Sequence, residues 1–128
     1  MTKDVFVQAF SEGSPALIRA ECVRAIAAAF VVEEHDGYAA VQMEDGGAEI
    51  WGYGDDGGLA VSRASGLEIW ELVVAIARST GAAIIPVGGA PFVCDELLIK
   101  DLPADAQGTA RLVTTGTELW EALGGTQP

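Results

Sequence analysis

Basic residues are scarce: 7 Lys and Arg stand against 19 Asp and Glu, a formal charge of −12. A field of that sign repels nucleic-acid phosphates and anionic lipid and attracts basic proteins and other cations. Cysteine is almost missing too. Cys22 and Cys94 are the only two, and neither sits in a CxxC or other metal-ligand spacing. The sole histidine, His35, is the only place an imidazole base could sit. No uncharged apolar run approaches the roughly 20 residues needed to cross a bilayer. The opening MTKDVFVQAF has no long apolar core of a secretory leader. With two free thiols, that predicts a reducing cytoplasm, and the Ala/Gly-rich, Lys-poor composition resembles that of bacterial chains. A GxSxG nucleophile elbow is also lacking.

What is present fits one domain over residues 1–128, half of them apolar. Residues 4–10 predict a strand, closed by a turn over 11–14. Ser14 before Pro15 is a helix-start signal, because a side-chain oxygen caps free amides and proline at the first position loses nothing. Ile18, Cys22, Ala25, Ile26 and Ala29 then recur at helical spacing, which places Cys22 on the buried stripe. Four runs follow, 30–35, 38–43, 48–54 and 59–64. Between the first two, Asp36-Gly37 is a strong hairpin signal.

Ser65-Gly66-Leu67-Glu68 matches a capping box ahead of a second helix, whose apolar face is Leu67, Trp70, Val73, Val74 and Ala77 and whose stop is Gly81. Residues 82–87 predict a buried strand ended by Gly88-Gly89-Ala90-Pro91. A tail follows, with helix over 95–101, strand over 111–114 and helix over 118–123. The sum is an α+β fold: a two-layer sandwich in which a mostly antiparallel meander carries two long helices on one face, with a helix–strand–helix C-terminal tail. It resembles the split βαβ (ferredoxin-like) plan with an extra hairpin inserted, a likeness that carries no function.

Register follows from the turns. If Asp36-Gly37 and Asp45-Gly46 are both two-residue reversals, His35 faces Tyr38, Glu33 faces Ala40 and Val32 faces Val41. Across the next pair Val41 faces Ile50, Ala40 faces Trp51 and Tyr38 faces Tyr53. The core face then carries Phe30, Val32, Ala39, Val41, Met43, Ala48, Ile50, Leu59 and Val61. The other face carries Val31, Glu33, His35, Tyr38, Ala40, Gln42, Glu49, Trp51, Tyr53, Ala60 and Ser62. Large aromatics with a polar handle are the side chains most enriched where proteins grip partners. The tail, with Leu97, Leu98, Leu112, Leu119 and Trp120 to bury, can fold across this second face or leave it open.

Glu33-Glu34-His35-Asp36 is the most charged run, and the meander brings Asp55 and Asp56 to the same end. The spacing fits no calcium loop, and neighbouring strand residues point to opposite faces, so the run reads as a solvated acidic rim. No metal and no cofactor is expected. Gly52-Tyr53-Gly54-Asp55-Asp56-Gly57 spells GxGxxG but opens into a strand and carries two acids, so it reads as a turn. Asp95 and Glu96 beside Cys94 disfavour its thiolate.

The expectation is a small, non-enzymatic protein-binding module that attracts a basic protein by its acidic rim and holds it by its aromatic face, in the manner of an immunity or inhibitor protein. Its partner-binding residues would be Glu33, His35, Asp36, Tyr38, Trp51, Tyr53, Asp55 and Asp56. The alternative is a small-ligand-binding protein or enzyme with a cleft around His35, Glu33, Tyr38, Trp51 and Tyr53, in which Glu33 orients the imidazole. A homodimer through the aromatic face or an open edge strand is the third reading.

Overall fold

Alternation in Val5-Phe6-Val7-Gln8-Ala9 sends Val5, Val7 and Ala9 into the core and leaves Phe6 48% exposed on the opposite face. That segment, β1 (Val5–Ser11), is central in a computed structural model describing residues 4–124. The chain reverses at Glu12-Gly13 into β2 (Ser14–Ala16), which pairs antiparallel with β1. Ser14-Pro15 therefore opens a strand, not a helix: proline, lacking an amide, is tolerated on this short edge segment.

Helix α1 (Ala20–Ala27) starts later than its sequence signal and buries Val23 and Ala27, while Cys22 is only half-buried and Ala25 and Ala29 are exposed. No side chain of its own caps it. The Asp56 carboxylate accepts from the Ala20 amide at 2.9 Å, and the Asp56 carbonyl accepts from the Ile18 amide. A loop distant in sequence thus satisfies the amides a helix start leaves open.

After a single 3-10 turn (Ala28–Phe30) the meander runs through β3 (Val31–His35), β4 (Gly37–Gln42), β5 (Gly47–Tyr53) and β6 (Leu59–Ser62). Helix α2 (Glu68–Thr80) follows, ending at left-handed Gly81, and leads to β7 (Ala83–Pro86) and β8 (Phe92–Val93). The tail has a 3-10 stretch (Glu96–Asp101), α3 (Ala104–Gln107), β9 (Arg111–Leu112) and α4 (Gly116–Ala122). Strand order is β3-β4-β5-β6-β1-β7-β8-β9, antiparallel except for β8 with β9. The fold is α+β with a mixed, mostly antiparallel sheet. Among the described residues no helix is long and apolar enough to cross a membrane.

The capping box expected at Ser65 and Glu68 does not close. Asp45, in the β4–β5 turn, accepts from the Leu67 and Glu68 amides at 2.7 and 3.2 Å. Ser65 Oγ accepts from Gly47 N, and Glu68 accepts from Glu44 N, so both reach back to that turn. A capping box does form at Thr115 and Glu118, where α4 begins.

One large core joins the inner sheet face to α1, α2 and α4, with Trp70 1% and Leu119 0% exposed. A second cluster lies on the opposite face of β1, β7 and β8. There Ala83, Val93 and Leu102 are buried among Phe10, Ile85, Leu98, Ile99 and Ala106. The tail therefore divides. Residues 98–106 cover one half of the outer face, whereas α4 returns to α2, with Trp120 stacked on Trp70 at 6.1 Å.

Candidate functional site

The register of the meander decides what stands on its open side. His35 pairs with Tyr38 and Glu33 with Ala40, as the Asp36-Gly37 reversal requires. Val32 does not pair with Val41: a bulge makes it the extra residue, 68% exposed, and Val31 takes the inner position instead. Phe30, in the 3-10 turn, is 37% exposed and outside the buried core. The next reversal is centred on Glu44-Asp45, with Met43 N donating to Gly46 O, one residue earlier than the sequence signal. Tyr38 consequently faces Trp51, Ala39 faces Ile50 and Val41 faces Ala48. The shift is two residues along the partner strand, so every side chain from Ala48 to Trp51 keeps its expected face.

Tyr53 is the exception. Gly52, at φ +87°, forms a bulge between the Gly37–Tyr53 and Tyr38–Trp51 pairs. A Cβ there would stand 2.5 Å from the Gly58 carbonyl oxygen, so both conformation and space demand glycine. The extra residue turns Tyr53 inward, where it is 2% exposed beneath the Arg24 guanidinium, 5.0 Å from its ring centre. Burial raises the Tyr53 phenol's pKa; Arg24 opposes the shift and Glu34 adds to it. Tyr53 thus leaves the expected contact face.

Successive cross-strand pairs then form one row across six strands: His35, Tyr38, Trp51, Ala60, Phe6 and Ile85. At about 4.8 Å per strand it spans roughly 24 Å. His35 stacks on Tyr38 at 5.9 Å, and Tyr38 meets Trp51 at 4.6 Å with the rings tilted by 55°. Trp51 is half exposed, its indole N–H donating to Ser62 Oγ at 3.2 Å. Small Ala60 separates Trp51 from Phe6 and floors an open slot of about 520 Å³, bordered by Gln8 and Ile85. Phe6 was missing from the sequence-derived contact set, although the alternation of β1 already places it opposite Val5 and Val7.

Beside the aromatic row runs a second one, Glu33, Ala40, Glu49 and Ser62. Glu33 accepts from His35 Nε2 at 2.8 Å when the imidazole carries that proton, and Arg63 lies 3.8 Å from Glu49. Desolvation first, then the Glu49 and Glu33 charges, push the Tyr38 phenol above its ordinary range.

The acidic rim is only partly what its sequence suggested. Asp36 and Asp55 meet at one end of the sheet in a polar hollow of about 340 Å³, shared with His35, Tyr53 and an Arg24–Glu34 ion pair at 3.0 Å. Asp56 does not project as a free charge; it caps α1. Cys94 has its thiol pKa raised by burial, the expected direction, but the cause is desolvation with no contribution from Asp95 or Glu96. Among the described residues, no group of three His, Cys, Asp or Glu side chains is placed to hold a metal ion. Compared with known protein families, curated proteins and solved structures, the chain matches none.

Proposed function

We propose that this chain is a small acidic module that binds a basic protein through the open half of its outer sheet face. Neutralising a basic toxin or enzyme, as an immunity or inhibitor protein does, is the use these features fit best. The observation that carries the reading is the uncovered row of Tyr38, Trp51 and Phe6 beside Glu33 and Glu49. Aromatic anchors slow release, and a field set by a charge of −12 speeds capture. The plan we assign to the body is the split βαβ, two-layer one with an added hairpin. Supporting it, β1 lies between β7 and the end of a meander whose far strand, β3, runs parallel to β1. Two free thiols favour a reducing, cytoplasmic setting.

The test is pairwise binding to a basic partner recovered from the source cells and purified. Trp51→Ala is expected to cost about 2–4 kcal/mol of affinity. Glu33→Lys and Asp36→Lys should slow association, and affinity should fall steeply with salt. A partner bound equally well by Trp51→Ala and Tyr38→Ala proteins overturns the reading.

One observation favours the alternative of a ligand cleft or enzyme: the 2.8 Å contact of His35 with Glu33, next to Tyr38. Against it, Tyr53 has turned to the other side of the sheet, and His35 and Glu33 side chains are 63% and 59% exposed, so little excludes water from the dyad. An activity abolished by His35→Ala at unchanged thermal stability would promote this second reading.

A further inference from the structure

We propose that the element received on this face is a single basic amphipathic helix of the partner, lying across the strands along the His35-to-Ile85 row. The inference rests on the protein-binding reading above and specifies its geometry. The protein already covers the other half of the same face with short helical turns of its own. There Leu98 and Ile99 of the 3-10 stretch, Leu102 just after it and Ala106 of α3 lie over Ala83 and Val93. Ile85 belongs both to that covered cluster and to the open slot, so the apolar layer continues from beneath the chain's own helical turns into solvent.

The dimensions suit a helix. A row of roughly 24 Å matches about 16 helical residues at 1.5 Å per residue. The slot floored by Ala60 lies between two large rings and offers a place for one projecting leucine or phenylalanine. Glu33 and Glu49 stand on one flank, two strands apart, which is about 9.6 Å. Lysines or arginines seven residues apart on a helix are separated by about 10.5 Å along its axis, so two can meet these carboxylates together.

Other occupants fit less well. A second copy brings its own charge of −12 to an acidic face. A strand added to the β3 edge meets the Val32 bulge and the charges of Glu33 and Glu34, devices that discourage edge pairing.

The experiment uses the full-length, isotope-labelled protein and two synthetic peptides of about 18 residues. One has a leucine stripe with lysines seven apart on one flank; the other has the same composition scrambled. The patterned peptide should shift the resonances of Phe6, Tyr38, Ala60 and the Trp51 indole N–H, and become helical on binding. Its Kd should rise about tenfold or more with Trp51→Ala, and similarly with Ala60→Gln, which fills the slot from its floor. Equal binding of the scrambled peptide at this face overturns the helix inference and leaves the broader protein-binding reading standing. Shifts confined to other surfaces, or none, overturn the helix inference as well. A protein that dimerises through this face does the same. The protein-binding reading fails separately, when a purified basic partner ignores Trp51.

Discussion

Two halves of one sheet face meet opposite fates. Over β1, β7 and β8 the chain supplies its own cover, and Leu102 is 2% exposed. Over β3, β4 and β5 the same face carries Tyr38 and Trp51 with no described helix or helical turn laid over them, and Trp51 is half exposed. Their side chains explain the division. The covered half is apolar, with no charge among Phe10, Ala83, Ile85 and Val93, so leaving it wet would cost transfer free energy with nothing gained. The open half alternates rings with carboxylates, and dry cover would strip water from Glu33 and Glu49, which have, respectively, His35 at 2.8 Å and a loose Arg63 at 3.8 Å beside them. Apolar patches rimmed by charge are kept open where a second molecule brings the missing charge.

The largest expected effect sets the halves against each other. Leu102→Ala should destabilise the fold by about 2–5 kcal/mol, the usual cost of emptying a buried leucine site. Trp51→Ala removes a larger side chain yet should change stability by less than about 1 kcal/mol, because much of its surface stays in water and its loss leaves no closed cavity. Denaturant unfolding of the two variants tests the contrast. A Trp51 variant as damaged as the Leu102 variant would mean that the open row is core after all.

A smaller effect separates two neighbouring acids at the open end of the sheet. Asp56→Ala removes the carboxylate that holds the Ala20 amide and should cost about 0.5–2 kcal/mol, the range of a helix cap. Asp55→Ala should be nearly neutral for stability while slowing capture of a basic partner. Thermal melts together with association rates distinguish them. Equal melting losses would show that both acids are structural.

Much of this was legible in the residues. Alternation along β4, β5 and β6 put Ala39, Val41, Ile50 and Val61 inside and Trp51 outside, and the two-residue slip between β4 and β5 preserved those faces because the strand period is two. What misled was carried by single residues whose effect depends on distant chain. Gly52 reads as a turn glycine, but it inserts one residue into the ladder and sends Tyr53 inward. Asp45 reads as a turn residue and Asp56 as a rim acid, but each caps a helix that local sequence leaves uncapped. Ser65 and Glu68 have the spacing of a mutual cap and spend their oxygens on Gly47 and Glu44. A local motif specifies which groups can bond, and tertiary contacts decide with whom.

The smallest effect concerns why α4 does not join the cover on the outer face. Its start is fastened to α2: Glu71 accepts from the Gly116 amide at 2.9 Å, and Arg78 donates to the Thr114 carbonyl. Glu118 completes the fastening by accepting from the Thr114 amide at 2.9 Å, the Thr114 hydroxyl and the Thr115 amide. The Thr114 hydroxyl and amide bonds hold the Glu118 carboxyl below its ordinary pKa. A carboxyl lowered on folding adds stability that is complete above its unfolded value, about pH 4.3, and is lost as pH falls through the folded value. Wild type should therefore exceed Glu118→Gln in stability at neutral pH by a margin that shrinks only on the acid side. A carboxyl titration by NMR should place the Glu118 midpoint below that of the exposed glutamates. An ordinary midpoint, or a margin unchanged by acid, would remove Glu118 from the fastening and leave Arg78 and Glu71 to hold α4 against α2.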